Sequence, residues 1–277
     1  MFNREISLPP ALSYDGKSAV VAGGGGDGMG AAVVQILLSL GANVTVLDLR
    51  ASASSDAEFI RTDLGSVDEI DQAISEIGDV DALFNCQGIS GATPGASVSE
   101  VMTVNFLGLR HLTEAIVPKM PPGSAVANIS SAGGLGWERK SSEIQALLEH
   151  DDTESAKAWC EQQSGGMLKA AFPHAYAFSK QALIYWTLQR SESSIQAGIR
   201  MNVTSPGSTL TPMAGDFPVT GVEGMNHPIN RTSVPVEQAW PLVYLNGSAA
   251  SYVNGVNIPV DGGNFAARSI ARLTRDS

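Results

Sequence analysis

A tyrosine and a lysine four residues apart, Tyr176 and Lys180, have the side chains and the spacing for acid–base chemistry. Residues four apart share one face of an α-helix, so a helix here would bring the phenol close to the ammonium group. A free phenol has a pKa of about 10 and is a poor base at neutral pH. A cation about 4 Å away is expected to lower that pKa by roughly three units, which would let the phenol exchange a proton with an alcohol.

The position of this pair in the chain adds to its significance. Tyr176 and Lys180 fall near the start of a predicted helix at residues 173–194, and a predicted strand at 125–130 precedes it. That strand leads into Ser131, whose hydroxyl could donate a hydrogen bond to a substrate oxygen and hold it beside the phenol.

A second motif, Gly-Gly-Gly-Gly-Asp-Gly-Met-Gly at residues 23–30, lies between a predicted strand at 18–23 and a predicted helix at 28–40. The glycines allow a tight turn and a close approach of backbone to a pyrophosphate, and the helix N-terminus offers unpaired N–H groups. An acidic residue, Asp48, ends the next predicted strand at 43–48. Together these features predict a dinucleotide site.

The charges near this motif bear on which dinucleotide binds. A carboxylate at Asp48 accepts hydrogen bonds from ribose hydroxyls and repels the 2′-phosphate of NADP, so it favours NAD. Asp27 adds a negative charge where an NADP-preferring enzyme would want a cation. Arg50 instead favours NADP, because its side chain could turn toward a 2′-phosphate.

The elements that would position these residues alternate between strand and helix. Further strands are predicted at 82–85, 125–130, 199–204 and 256–260, and helices at 67–77, 98–118, 173–194 and 236–245. Such alternation predicts an α/β fold with one doubly wound parallel sheet of the Rossmann type, covered by helices on both faces. Without a linker or a repeat, residues 1–277 are expected to form a single domain.

Residues 137–172 interrupt the alternation. The stretch is polar, and helix starts at 141–142 and 152–153 predict two short helices inserted between a strand and the long helix. This insertion could be a wall over a substrate cleft, an oligomer contact or a tolerated surface excursion.

Composition excludes several classes of protein. A formal net charge of −11 argues against a nucleic-acid partner. Two cysteines imply no disulfide framework and fit a reducing cytoplasm, and no apolar run is long enough to predict a membrane span. The four histidines show no metal-ligand spacing, so no metal is expected.

On these motifs the chain resembles the short-chain dehydrogenase/reductase superfamily, from about residue 15 to residue 263. Gly24, Gly28 and Gly30 match the glycines of its Thr-Gly-x-x-x-Gly-x-Gly motif, with Gly23 in place of the threonine. The resemblance implies an NAD(P)-dependent oxidoreductase acting on an alcohol or carbonyl carbon. An enoyl reductase is disfavoured, because that branch spaces its tyrosine and lysine more widely.

The resemblance also implies roles for individual residues. Asp63 matches the acidic residue that contacts adenine, and Asn105 matches the asparagine whose neighbourhood anchors a water for proton relay. The implied catalytic residues are Asn105, Ser131, Tyr176 and Lys180. The implied cofactor-binding residues are Gly24, Asp27, Gly28, Met29, Gly30, Asp48, Asp63, Leu64, Asn85, Gly88, Tyr176, Lys180, Pro206, Gly207 and Thr211.

Two departures from the family pattern stand out. Asn85-Cys86-Gln87-Gly88 replaces the usual Asn-Asn-Ala-Gly, and the insertion separates Ser131 from Tyr176 by far more than the family norm. A similar insertion occurs in a subgroup that includes bacterial 3α-hydroxysteroid dehydrogenase/carbonyl reductases and coniferyl-alcohol dehydrogenases. That likeness suggests a bulky alicyclic or aromatic alcohol as the small-molecule substrate.

The expectation for the site is therefore an NAD-dependent alcohol dehydrogenase. The alternatives are an NADPH-linked carbonyl reductase and a dinucleotide-binding protein without turnover. Ser131, Trp137, Met213 and Phe217 are candidate substrate contacts, and residues 213–232 could form a lid. In the family the helices holding Asn105 and Tyr176 commonly form a subunit interface, so we expect a homo-oligomer, either a dimer or a tetramer.

Overall fold

The computed structural model describes residues 10–92, 94–216 and 228–274. Its centre is a seven-stranded sheet in which every neighbouring pair of strands is parallel, in the order β3-β2-β1-β4-β5-β6-β7. The strands are β1 (Ser18–Ala22), β2 (Asn43–Asp48), β3 (Glu58–Arg61), β4 (Ala82–Asn85), β5 (Ala125–Ile129), β6 (Arg200–Pro206) and β7 (Asn257–Val260).

Helices cover both faces of this sheet. They are α1 (Met29–Ser39), α2 (Val67–Glu76), α3 (Val98–Met102), α4 (Gly108–Ile116), α5 (Ser141–Leu148), α6 (Thr153–Gln162), α7 (Tyr176–Ser194), α8 (Pro235–Asn246) and α9 (Asn264–Leu273). One apolar core lies between the sheet and α1 with α8, and a second lies on the opposite face under α2 to α7. Because β1, β4 and β5 lie in the centre of the sheet, their sequences are mostly apolar, apart from Ser18 in β1, Asn85 in β4 and Asn128 in β5. The predicted doubly wound fold is confirmed.

Three elements differ from the prediction. The edge strand β3 was not predicted because only Phe59 and Ile60 are apolar between charged ends, and the strand is mostly exposed. Helix α9 was also missed. The predicted helix at 98–118 is interrupted at Thr103–Leu107, where the chain makes a π-helical turn between α3 and α4. Such turns occur often at functional sites, and this one carries Asn105.

A buried set of four polar side chains, the Asn–Thr ladder (Asn85, Thr113, Asn128, Thr187), crosses the second core. Asn85 Nδ2 donates to Thr113 Oγ1 at 2.9 Å and to Asn128 Oδ1 at 2.8 Å. Asn128 Nδ2 donates to Thr187 Oγ1 at 2.9 Å. The two threonine hydroxyls donate in turn to backbone carbonyls one turn earlier in α4 and α7. The ladder thus connects α4, β4, β5 and α7.

The insertion is confirmed as two helices, α5 and α6, and it is anchored in the core. Arg110 on α4 is 6% exposed and donates from Nη2 to the carbonyl oxygens of His150 and Asp151, each at 2.7 Å. Trp159 on α6 stacks on Phe178 of α7, with ring centroids 6.2 Å apart. These contacts make the insertion an integral part of the helical layer on that face. Within the described ranges, no helix combines the length and apolar character that crossing a membrane requires.

Candidate active site

The glycine-rich loop joins β1 to α1 through contacts that leave no room for larger side chains. Gly23 has a φ of +77°, and a Cβ at Gly30 would lie 2.1 Å from the carbonyl oxygen of Gly23. A Cβ at Gly25 would lie 2.0 Å from the carbonyl oxygen of Arg50. Gly28 is the exception, because nothing lies within 4 Å of its Cβ position. Gly28 is also the N-cap of α1 and supplies no side-chain cap, so the first N–H groups of α1 remain available to a ligand.

Asp48 ends β2 beside this loop. Its Oδ2 accepts a hydrogen bond from Gly25 N at 2.9 Å, and its Oδ1 accepts one from Arg50 N at 3.0 Å. A carboxylate can accept about four hydrogen bonds, so Asp48 keeps acceptor capacity for ribose hydroxyls. The Arg50 guanidinium lies over Gly26, with Cζ 2.7 Å from the Cβ position of that glycine. The carboxylate and the cation therefore lie on the same side of the loop.

The loop borders a cavity of about 830 Å³ at the carboxyl ends of the strands. Binding at this edge of a parallel sheet, where the order of the strands reverses between β1 and β4, is the general rule for this class of fold. The residues predicted for the site that line the cavity are Gly28, Met29, Gly30, Asp48, Asp63, Leu64, Gly88, Thr211 and Met213.

Seven other predicted cofactor residues are not part of this wall, and two of them, Tyr176 and Lys180, are described below with the catalytic side chains. Asn85 is fully buried in the Asn–Thr ladder, and Gly24 is buried against Val21 and Val34. Asp27 is exposed on the loop. The remaining two, Pro206 and Gly207, end β6 beside β7, where a Cβ on Gly207 would lie 2.8 Å from the Cα of Asp261. None of these five residues lines the cavity.

The proposed catalytic side chains converge behind Gly88. Ser131 makes a side-chain hydrogen bond with Tyr176, the first residue of α7. Lys180, one turn further along α7, is 3% exposed and donates from Nζ to the carbonyl oxygen of Ile129 at 3.2 Å. The Cβ position of Gly88 is 3.3 Å from Lys180 Nζ, so a glycine at 88 lets the ammonium group approach the cavity.

Asn105 holds the chain that follows β4. Its Oδ1 accepts from Ile89 N at 2.8 Å, and its Nδ2 donates to Ile89 O at 3.0 Å. Nδ2 also donates to Ser179 Oγ, next to Lys180 on α7, at 3.2 Å. Asn105 therefore fixes the 88–89 segment against α7. The structure brings together all four residues that the resemblance assigns to catalysis.

Burial is the main cause of the pKa shifts of Tyr176 and Lys180. It raises the pKa of the Tyr176 phenol, and the hydrogen bond with Ser131 acts in the opposite direction. It also lowers the pKa of the Lys180 ammonium to about 8. In the folded chain desolvation favours the neutral form of each group, so the net shift of the phenol pKa is upward; that Lys180 lowers the phenol pKa stays a prediction.

A second cavity of about 590 Å³ adjoins the first and is lined by Ile89, Ser90, Gly91, Met213 and Asp216, among others. Ser90 Oγ donates to Asp216 Oδ2 at 2.8 Å, which ties the chain after β4 to the chain after β6. Met213 lines both cavities, as expected for a residue between cofactor and substrate.

The other candidate substrate contacts are placed differently. Trp137 is not in either wall; it packs edge-on against Tyr185, with centroids 5.6 Å apart. Tyr185 is nine residues along α7 from Tyr176, about 14 Å on the helix axis. Trp137 therefore supports the insertion. Phe217 and most of the predicted lid at 213–232 lie outside the described residues.

Sequence reasoning missed two contributions to the larger cavity. Lys157 and Glu161 of α6 line it, which brings the insertion to the dinucleotide site. Gln87 lines it as well and was considered only as a departure from the usual motif. The four-residue spacing of Lys157 and Glu161 on a predicted helix was visible in the sequence, but only the packing of α6 on α3 shows that they face the cavity.

Comparison with known proteins identifies the family. A family model described as short chain dehydrogenase matches residues 17–142, and one described as Enoyl-(Acyl carrier protein) reductase matches residues 163–264. Coniferyl-alcohol dehydrogenase of Pseudomonas sp. is 32% identical over 250 residues, which is 88% of this chain and 95% of that protein. The chain belongs to the short-chain dehydrogenase family.

Other members of this family are similar over most of their length. 3-alpha-hydroxysteroid dehydrogenase/carbonyl reductase of Comamonas testosteroni is 32% identical, over 89% of this chain and 96% of the relative. The crystal structure of the 3-alpha-hydroxysteroid dehydrogenase from Pseudomonas sp. B-0831, complexed with NADH, has a TM-score of 0.76 at 25% identity and covers 91% of this chain and 98% of that one. The chain is therefore an oxidoreductase of a family that uses a nicotinamide cofactor.

The residues present fit such a cofactor. The uncapped N-terminus of α1 and the open Cβ position of Gly28 leave space and donors for a pyrophosphate. Asp48 stands where ribose hydroxyls need an acceptor, and Asp63 and Leu64 line the same end of the cavity.

Proposed function

We propose that the protein is an NAD-dependent dehydrogenase that oxidises a bulky alicyclic or aromatic alcohol to the carbonyl, reversibly. The observation that carries this proposal is the Ser131–Tyr176 hydrogen bond together with Lys180 one turn further along α7, whose Nζ lies 3.3 Å from the Cβ position of Gly88 in the wall of the 830 Å³ cavity. The names of the two curated relatives support the substrate class, since one acts on coniferyl alcohol and the other on hydroxysteroids.

Each of the four side chains has a task in this reaction. Ser131 donates a hydrogen bond to the substrate oxygen and holds it beside the phenol. Tyr176 in its phenolate form takes the hydroxyl proton, and Lys180 with the region of Asn105 passes it toward solvent. An oxidised nicotinamide held by the glycine-rich loop and Asp48 would supply the hydride acceptor and a positive charge near the phenol. The alcohol thus loses a hydride and a proton, which balances its conversion to a carbonyl.

The first test removes the hydroxyl of Tyr176. Tyr176→Phe is expected to lower kcat by at least about a thousandfold while the Kd for NADH stays within about twofold, because the ring remains and only the proton carrier is lost. The measurement is NADH formation with coniferyl-type alcohols, benzylic alcohols and 3-hydroxysteroids, beside NADH titration by fluorescence. Tyr185→Phe, on the same helix, is the control. Turnover by Tyr176→Phe within a factor of about two of the parent would sink the proposal.

The preference for NAD is tested at Asp48. Asp48→Ala is expected to lower the ratio of NADPH Kd to NADH Kd by about tenfold or more, because the carboxylate both binds the ribose and repels a 2′-phosphate. Asp79→Ala, an exposed carboxylate at the other end of the sheet, serves as control. An unchanged ratio in the Asp48 variant would show that the preference is set elsewhere.

A second candidate is an NADPH-linked carbonyl reductase, and two observations favour it. The Arg50 guanidinium lies over the loop at Gly26, where it could meet a phosphate. Burial raises the pKa of Tyr176, which favours the protonated phenol that would donate to a carbonyl. The Kd values of the parent for NADH and NADPH distinguish the two candidates.

The proposal extends to the partners, the assembly and the location of the enzyme. We expect small-molecule substrates only, a homo-oligomeric assembly and a cytoplasmic location. The non-catalytic alternative is disfavoured because the catalytic set is complete.

A further inference from the structure

Gln87 lies in the wall of the cofactor cavity with a side-chain amide that lacks hydrogen bonds. The side chain is 5% exposed, and neither Nε2 nor Oε1 has a partner among the described residues. Its backbone packs against the start of the glycine-rich loop, where a Cβ on Gly23 would lie 2.5 Å from Gln87 N. On its other side is Gly88, which adjoins Asn105 and Lys180. Gln87 is thus placed between the loop and the catalytic residues.

A buried amide without a protein partner is unusual, because most buried side-chain polar atoms in proteins have one. Two further unpaired hydroxyls, Ser99 Oγ and Thr103 Oγ1, belong to residues that line the same cavity. Three residues that line the 830 Å³ cavity therefore carry side-chain polar atoms without a partner, and this is the cavity in which a polar ligand is expected.

We propose that Gln87 is a cofactor-binding residue whose carboxamide turns toward the cavity and hydrogen-bonds the bound dinucleotide. A carboxamide donates and accepts at the same time, so it pairs with a group that does both, such as a ribose hydroxyl or another carboxamide. The alanine at this position of the usual family motif has no such group. The inference rests on the proposed function, because it takes the ligand of this cavity to be a nicotinamide dinucleotide.

A binding role and a structural role predict different results for Gln87→Met, which keeps the length of the side chain and removes the amide. If Gln87 binds the cofactor, the variant has an unfolding temperature equal to or above that of the parent, since an unpaired amide is removed, while its Kd for NADH rises about tenfold. Gln72→Met, an exposed position on α2, is the matched control and should change neither quantity. Both quantities are measured without turnover, by thermal unfolding and by titration calorimetry.

Titration with ADP-ribose, which lacks the nicotinamide, locates the contact. A loss of affinity for both NADH and ADP-ribose places the contact on the ADP-ribose part, and a loss for NADH alone places it on the nicotinamide. Either result supports the proposal. A Gln87→Met protein that binds both ligands as the parent does overturns it, while the proposed function stands if the parent still binds NADH and oxidises alcohols. A parent that binds neither NADH nor NADPH overturns both.

A crystal structure of the parent with NADH provides a test that does not depend on the folding of a variant. The proposal expects Gln87 Nε2 or Oε1 within about 3.2 Å of a polar cofactor atom. A carboxamide that remains turned away from the cofactor would overturn it.

Discussion

Lys180 is enclosed by the protein at the point where α7 passes the end of β5. Its pKa is lowered to about 8 by burial, and the pKa of Tyr176 is raised for the same reason. The identity and spacing of these residues could be predicted from the sequence. The direction of their pKa shifts could not, because it depends on how much water the folded chain excludes from each group.

The burial of Lys180 predicts a pH-dependent stability. Between pH 8 and about 10.4 the unfolded chain keeps a proton on this lysine that the folded chain has lost, so the free energy of unfolding rises with pH by up to about 1.4 kcal/mol per unit. Below pH 8 both states are protonated and the full cost of burying the charge is present. Lys180→Met lacks this dependence.

Urea unfolding of the parent and of Lys180→Met at pH 7 and pH 9.5 measures the effect. The stability of the parent relative to the variant is expected to increase by about 2 kcal/mol between these pH values. Lys169→Met, an exposed lysine in the insertion, should follow the parent. A difference that does not change with pH would contradict the assignment of a lowered pKa to Lys180.

The glycine-rich loop and α1 act together as one element, and its glycines have different tasks. A Cβ at Gly25 meets the backbone of Arg50, whereas a Cβ at Gly28 meets no protein atom and points into the space at the N-terminus of α1. The motif predicted the element correctly. It could not show which glycines serve packing and which serve the ligand, because that depends on the approach of β2.

Two alanine substitutions separate these tasks. Gly28→Ala is expected to change the free energy of unfolding by less than about 1 kcal/mol and to raise the Kd for NADH by tenfold or more, since its methyl group occupies ligand space. Gly25→Ala is expected both to weaken NADH binding and to lower the free energy of unfolding by about 1–3 kcal/mol, because the loop must shift to make room for the methyl group. Thermal unfolding and NADH titration provide both numbers, and unimpaired NADH binding by Gly28→Ala would argue against a pyrophosphate at this position.

Other elements show where prediction from sequence succeeds. The central strands β1, β4, β5 and β6, the partly buried β2 and β7, and the long helices were predictable, because their apolar patterns reflect packing between layers. The edge strand β3 has little burial to leave such a pattern. The two insertion helices were predicted from their starts, but their contact with the dinucleotide cavity follows from packing on α3 and α7, which no local pattern encodes.

At the scale of the whole molecule, apolar side chains remain uncovered at one end of the sheet. Trp240 and Tyr244 on α8 are 50% and 43% exposed, and Phe265, Ile270 and Leu273 on α9 are 41%, 62% and 67% exposed. An amphipathic helix such as α9 is stable in water when its apolar face has a partner. The insertion packs against α7, so the exposed apolar surface of α8 and α9 is the surface that we expect to bind a second copy.

This surface leads to a prediction about assembly. The parent is expected to sediment as a dimer or larger species at micromolar concentration, and the double variant Ile270→Asp, Leu273→Asp should shift toward monomer because it places charges in an apolar contact. Ile195→Asp, at an exposed position at the end of α7, is the control. Sedimentation velocity decides the matter: a parent that is monomeric at micromolar concentration would refute the expected oligomer.

The Asn–Thr ladder has a consequence for how this sequence can change over time. Each of its four side chains donates or accepts a hydrogen bond of another member. Replacing any one by an apolar residue therefore leaves a polar group in the core without its hydrogen-bond partner. Replacing all four together leaves no member of the ladder without its partner. The substitutions should therefore be strongly non-additive, with single steps costing more than the complete exchange. We expect single substitutions at these positions to be rejected, so that the hydrogen bonds linking α4 to α7 through the sheet persist even though no member of the ladder lines the 830 Å³ cavity.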